Sequence, residues 1–210
     1  MKASRTVFLV CISLFLQCLS CNIPSYLLPL KEGQDILLSE RYWKPPFQNN
    51  FSSMLFKANM RYGEKFDLGG LLALKQVKKD NFRAIFMTVS GTTLFDFEFG
   101  QQGLVIHQLL RAMDRKTLLK IIEQDFYMLL ANHLNGQKAT LFNKGKQVLL
   151  KTRHKQHNLY FIQEHKQRII RVHQDRKVSL QFSDFLDNSP RTIEIQHHNL
   201  PLNLALKRLK

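Results

Sequence analysis

Thiols, imidazoles and carboxylates are the groups here that could do chemistry, and their placement restricts what they can do. The cysteines are Cys11, Cys18 and Cys21, and residues 22–210 contain none. That long stretch therefore offers no disulfide, no thiol nucleophile and no cysteine-bound metal. Histidines are plentiful, but a metal site needs convergent ligands at suitable spacing. His154 and His157 lie in a basic run, residues 151–157, that would repel a cation. His197 and His198 stand just before a turn at Asn199, Leu200 and Pro201. Asp184 and Asp187 flank Phe185, which is ordinary turn chemistry. The chain has no G-x-S-x-G elbow, no H-E-x-x-H, no P-loop and no G-x-G-x-x-G. The expectation is a protein that is not an enzyme, with no metal site and no cofactor.

The thiol with a chemical future is Cys21. Lys2 and Arg5 precede an almost wholly apolar run over residues 7–19, which ends in Cys18, Leu19, Ser20 and Cys21. A basic start, a short apolar core and small residues before the cut describe a secretory signal. The run is too short for a membrane-spanning helix, which needs roughly 20 apolar residues. Leu19-Ser20-Cys21 resembles a bacterial lipobox, with Cys18 where Leu is usual. On that pattern residues 1–20 are removed and Cys21 becomes an acylated N-terminus. An ordinary secretory signal cut nearby, with Cys21 incidental, is the competing explanation. One acyl chain alone holds a protein only marginally, whereas several make attachment effectively permanent.

Charge is the next constraint. The 210 residues carry a net charge of +15, which becomes +13 if Lys2 and Arg5 leave with the signal. Nucleic acid is not the expected partner, because export and the absence of clustered stacking aromatics both oppose it. The basic residues, Lys57, Arg61, Arg83, Lys151, Arg153 and Lys207 among them, mostly alternate with apolar positions. That alternation describes the outer side of a sheet. It leaves two options, a solvated cationic exterior or one facing an anionic membrane surface.

The elements that must carry these groups follow from periodicity. Residues 22–50 hold four of the six prolines. They suggest a tether following a lipidated Cys21, with a helical turn or two over residues 35–43. From residue 51 to 210 a single domain is expected, and most of the chain's 16 phenylalanines lie in it and can help fill a core. Phe56, Ala58, Met60 and Tyr62 alternate with polar residues, and the Gly69-Gly70 break precedes a strand over residues 71–77. Strands follow over residues 82–89, 93–99 and 104–109. Leu118, Ile121, Ile122, Phe126 and Leu129 then recur at helical spacing, with Asp114 or Thr117 to start the helix and residues 132–136 to end it. Period two resumes to the C-terminus. About ten or eleven antiparallel strands in one domain will curl, and a curled sheet with one apolar face encloses an apolar interior. The lone helix must bury its stripe on that face. It could complete a dry core or lid a cavity lined by Phe56, Ala58, Met60, Leu72, Leu74, Phe86, Phe95 and Phe97.

Residues 82–99, Phe-Arg-Ala-Ile-Phe-Met-Thr-Val-Ser-Gly-Thr-Thr-Leu-Phe-Asp-Phe-Glu-Phe, resemble the central hairpin of the LolA/LolB lipoprotein-localisation family. The order of lipobox, strands, helix and strands is also similar, and the outer-membrane LolB-like branch is the nearer comparison. The resemblance implies an incomplete antiparallel β-barrel whose helix lids the concave apolar face. It implies that acyl chains of client lipoproteins are held inside and inserted into the outer membrane, after transfer from a periplasmic carrier. It further implies a lipid-anchored protein of the bacterial envelope, facing the periplasm. Family members expose an apolar residue in the hairpin loop just before a glycine. The matching position here is Val89, before Ser90 and Gly91, without the family's Leu or its Pro-containing turn. The alternative is that Val89 ends its strand facing inward. At the level of function, the alternative is a non-catalytic scaffold or ligand-binding lipoprotein on the same fold.

Overall fold

Alternation along residues 53–61, broken only by Leu55, becomes strict alternation of burial: Met54, Phe56, Ala58 and Met60 are buried, and Ser53, Leu55, Lys57, Asn59 and Arg61 are exposed. The period-two strand rule is thus obeyed, with one face turned to a core. The computed structural model describes residues 33–39, 46–47, 51–64, 66–78, 81–100, 103–130, 136–144, 147–154, 157–164, 169–174, 177–187 and 189–209. Residues 1–20, expected to be a signal, together with Cys21 and residues 22–32, lie outside the described residues.

The described chain is mainly β, with thirteen strands in one antiparallel sheet and one α-helix. The strands are β1 (Gln34–Leu37), β2 (Ser53–Tyr62), β3 (Phe66–Lys78), β4 (Asn81–Thr88), β5 (Thr93–Gly100) and β6 (Gly103–Leu109). After the helix α1 (Lys116–Leu130) come β7 (Lys138–Lys144), β8 (Gln147–His154), β9 (His157–Glu164), β10 (Ile169–Gln174), β11 (Val178–Leu186), β12 (Ser189–His197) and β13 (Leu202–Arg208). Two meanders, β2 to β6 and β7 to β13, join where β13 pairs with β2, Leu206 opposite Ala58. The spatial order leaves β1 and β6 as the two edges.

The structure differs from the sequence-based expectations at several points. The strand count exceeds ten or eleven. The helical turn expected near residue 35 is instead strand β1, because Gln34–Leu37 completes the hydrogen bonding of β7. The expected tether is therefore not all tether: Leu38 and Phe47 are buried in the core of the body. Gly69 and Gly70 do not break a strand either, since β3 runs through them, paired with β2 on one side and with β4 from Gly70 on. A Cβ on Gly70 would collide with the Met87 carbonyl and the Phe86 ring, so the glycine lets the two strands and that ring close up. Finally, α1 begins at Lys116, with Thr117 already inside it and Asp114 closing a 3-10 turn, Arg111–Met113.

The sheet is curved, and two side-chain bridges demonstrate it. Strands β11 and β4 are five positions apart in the sheet, roughly 24 Å if it were flat. Yet Phe182 on β11 lies 6.4 Å from Phe47, Phe47 lies 5.4 Å from Phe51, and Phe51 lies 5.7 Å from Phe82 on β4. Laid end to end, these separations fall short of the flat distance. Helix α1 makes the second bridge, as described next.

Candidate functional site

The inner face of the curved sheet and the helix that crosses it form the candidate site. Topology explains the crossing. Strand β6 is one edge of the sheet and β7 sits next to the other edge, so their connection must pass over the sheet, and α1 is in that connection. The helix buries Ile122, Phe126 and Leu129 and half-buries Leu118 and Ile121, so its apolar stripe faces the sheet as the spacing requires. Met128 and Leu130 are also buried, which widens the stripe near the C-terminal end.

Phe126 anchors the helix to β5. Its ring stacks on Phe99 at 4.7 Å and meets Phe95 edge-on at 6.1 Å. The ladder continues through Phe95 stacked on Phe97 at 4.6 Å, and Phe86 against Phe95 at 5.7 Å. These separations are those of favourable aromatic pairs. One residue earlier on the helix, Asp125 reaches the other way, to β12. Asp125 Oδ2 lies 3.0 Å from His197 Nε2, and both side chains are buried. Strands β5 and β12 are again five positions apart, so one helical turn holds both only because the sheet curls towards it.

All eight expected interior residues, Phe56, Ala58, Met60, Leu72, Leu74, Phe86, Phe95 and Phe97, belong to this buried cluster, and none is more than 8 % exposed. A side chain lining a void wide enough for an acyl chain would keep open surface beside it. These do not, so the space at these positions is occupied by other side chains.

The Asp125–His197 pair is the feature that sequence reasoning missed. His197 was visible only as half of a His-His doublet near a turn, and Asp125 as one polar residue on an apolar helix. Burial holds the Asp125 carboxyl above the usual carboxylate range, against the opposing hydrogen bond and charge of His197. Its second oxygen, Oδ1, is buried with no protein hydrogen-bond partner. The signal that could have found it is position: at helical spacing, Asp125 falls inside the stripe formed by Ile122, Phe126 and Leu129. Its neighbour His198 has a different role, with Nε2 3.0 Å from the Ser179 hydroxyl on the surface.

Val89 lies at the tip of the β4–β5 hairpin and is 87 % exposed. Strand β4 ends at Thr88, so Val89 is not an inward-facing strand end. The Gly91 N–H donates to the Thr88 carbonyl, and the Thr88 N–H to the Thr92 carbonyl. Gly91 has φ +86°, the left-handed conformation such a three-residue hairpin loop requires. Val89 is thereby held exposed on a short, hydrogen-bonded loop.

Little else in the described residues suggests chemistry. No group of three or more His, Cys, Asp or Glu side chains among them converges as a metal site. Asp184 and Asp187 both adopt left-handed backbone conformations, as turn residues do. No described helix is long and apolar enough to cross a membrane. Comparisons with protein-family models, with curated proteins and with solved structures find no match to this chain.

Proposed function

We propose that this chain is a non-enzymatic, LolB-like lipoprotein of the bacterial envelope. In this proposal Cys21 is acylated and anchors the protein to the outer membrane, facing the periplasm. The body acts as an incomplete barrel lidded by α1. It accepts acyl chains of client lipoproteins from a periplasmic carrier and passes them to the membrane. The observation that carries the proposal is how the inner face is closed. The sheet curls but leaves β1 and β6 as edges. The apolar concavity is covered by α1 and by Phe47 and Phe51, not by strand pairing. A cover made of side chains on a helix and a connecting segment can be displaced by a ligand of equal apolarity, whereas a closed strand ladder cannot.

No covalent step is needed. Burying apolar area is worth roughly 25 cal/mol per Å² whether Phe126 or an acyl chain supplies it. Exchange between the two is therefore nearly balanced, and the membrane as final sink sets the direction. Val89, exposed at its hairpin tip, would meet the bilayer first.

The near-complete burial of the eight interior residues favours a second reading. A permanently filled interior would make this a scaffold lipoprotein of an envelope complex. Depleting the protein and following client lipoproteins by membrane fractionation separates the two. Clients accumulating away from the outer membrane is the expected result, and unchanged sorting would leave only the scaffold. The anchor is checked independently by mass spectrometry of the mature N-terminus, where an unmodified end would refute acylation at Cys21.

A further inference from the structure

The outer face of β13, β2, β3 and β4 carries a pattern that the acyl-chain proposal does not use. Strand register places Leu55, Ala73 and Ile85 in one row across β2, β3 and β4, and the Leu209 N–H donates to the Leu55 carbonyl at its end. The next row reads Lys207, Lys57, Leu71, Met87. Leu55 is 40 % exposed and Leu209 38 % exposed, and Leu71, Ala73, Ile85 and Met87 are half-buried. Two residues beyond Met87 the apolar path reaches Val89.

Lys57 and Lys207 stand directly opposite one another, an arrangement that destabilises a sheet when nothing neutralises it. Among the described residues, neither they nor the nearby exposed Lys75 has a carboxylate within ion-pair distance. One strand further on the situation reverses. Arg83 is held by both oxygens of Asp96, and Glu98 faces His107 and Asn81. Lys57, Lys75 and Lys207 thus lie unneutralised beside the apolar rows.

We infer that this face, centred on Leu55, Leu71 and Ile85 and rimmed by Lys57, Lys75 and Lys207, docks on an anionic phospholipid surface. Half-buried aliphatic side chains between lysine stems, with the ammonium groups free to reach outward, fit a headgroup layer over acyl chains. The unpaired ammonium groups complement its phosphates. The inference rests on the membrane anchoring proposed above and adds the orientation of the body.

The test uses the full chain with p-benzoylphenylalanine in place of Ile85, or in place of the half-buried Lys151 on β8 as a control. Each is photolysed on vesicles of phosphatidylcholine alone or mixed equally with phosphatidylglycerol. Lipid adducts should form at position 85 several-fold more than at position 151, several-fold more with phosphatidylglycerol, and less in high salt. The pair Lys57→Glu and Lys207→Glu should remove most of that excess, and Lys57→Gln with Lys207→Gln should remove about half. Unaltered circular dichroism separates these effects from misfolding. Adducts that ignore lipid charge, that are equal at the two positions, or that join position 85 to another protein would overturn the inference. Normal client sorting would refute acyl-chain transfer while leaving this result intact.

Discussion

Two acid–base pairs sit on opposite faces of one sheet and are driven in opposite directions. On the inner side, Asp125 meets His197 beneath the helix, and burial raises its carboxyl pKa. On the outer side, Arg83 donates through Nε and Nη2 to Asp96 at 2.7 and 2.6 Å, and that hydrogen bonding lowers the Asp96 carboxyl pKa. Each carboxylate is hydrogen-bonded by one basic side chain. The difference is water and the partner's geometry. A guanidinium that stays hydrated satisfies both oxygens of Asp96, whereas an imidazole under a helix satisfies one oxygen of Asp125 and leaves Oδ1 bare. The outer pair suits a solvated or lipid-facing surface. The inner pair is a polar contact inside an otherwise apolar helix–sheet interface.

The widest break in this contrast comes from Phe126→Ala. It removes the ring stacked on Phe99 and admits water beside Asp125. Denaturant melts should show a loss of about 3–5 kcal/mol. A loss below about 1 kcal/mol would mean that the helix does not depend on its aromatic anchor.

Next in size is His197→Ala, which leaves both Asp125 oxygens unpartnered and should cost about 1–3 kcal/mol near neutral pH. Its pH dependence identifies the cause. With a folded-state pKa above the unfolded one, the folded chain holds the Asp125 proton more tightly. This site therefore gains stability as pH falls from the raised value towards the ordinary carboxylate range. The His197→Ala penalty should shrink on acidification. The shrinkage should vanish when Asp125→Asn is added to His197→Ala. A penalty independent of pH would show that no charge is buried there.

Arg83→Gln should have the smallest effect, and one with the opposite pH sign. Asp96, with its pKa lowered, stabilises the fold above the ordinary carboxylate value and loses that contribution as pH falls through the lowered one. Removing Arg83 should abolish this acid-side loss, and added salt should reduce the difference between variant and parent. A variant whose melting midpoint is as strongly altered as that of His197→Ala would dissolve the contrast between the faces.

The legible parts of the fold were those with local periodicity. Phe56, Ala58 and Met60 share a face because a strand has period two. Ile122, Phe126 and Leu129 share one because a helix has period 3.6. The turn at Ser90-Gly91 announced itself through its glycine. Three things were not legible. Gln34–Leu37 is too short and polar to show a pattern, and becomes a strand only because β7 offers it an edge. Gly69 and Gly70 look like a break, because their purpose lies in Phe86 and Met87 on another strand. Asp125 and His197 are 72 positions apart, and nothing local links them.

By itself, then, the sequence determined the class of the fold, the inward and outward faces of its strands, the stripe of its helix, and the location of every cysteine before residue 22. These depend on residue type and short-range spacing, which backbone geometry converts directly into direction. Tertiary structure alone decided that β13 joins β2 to merge two meanders, that the sheet curls under α1, that the rings of Phe95, Phe99 and Phe126 meet, and that Lys57 and Lys207 stand opposite one another. Each of these depends on which distant segments meet. That choice is made by the summed burial of many side chains and not by any one stretch of chain.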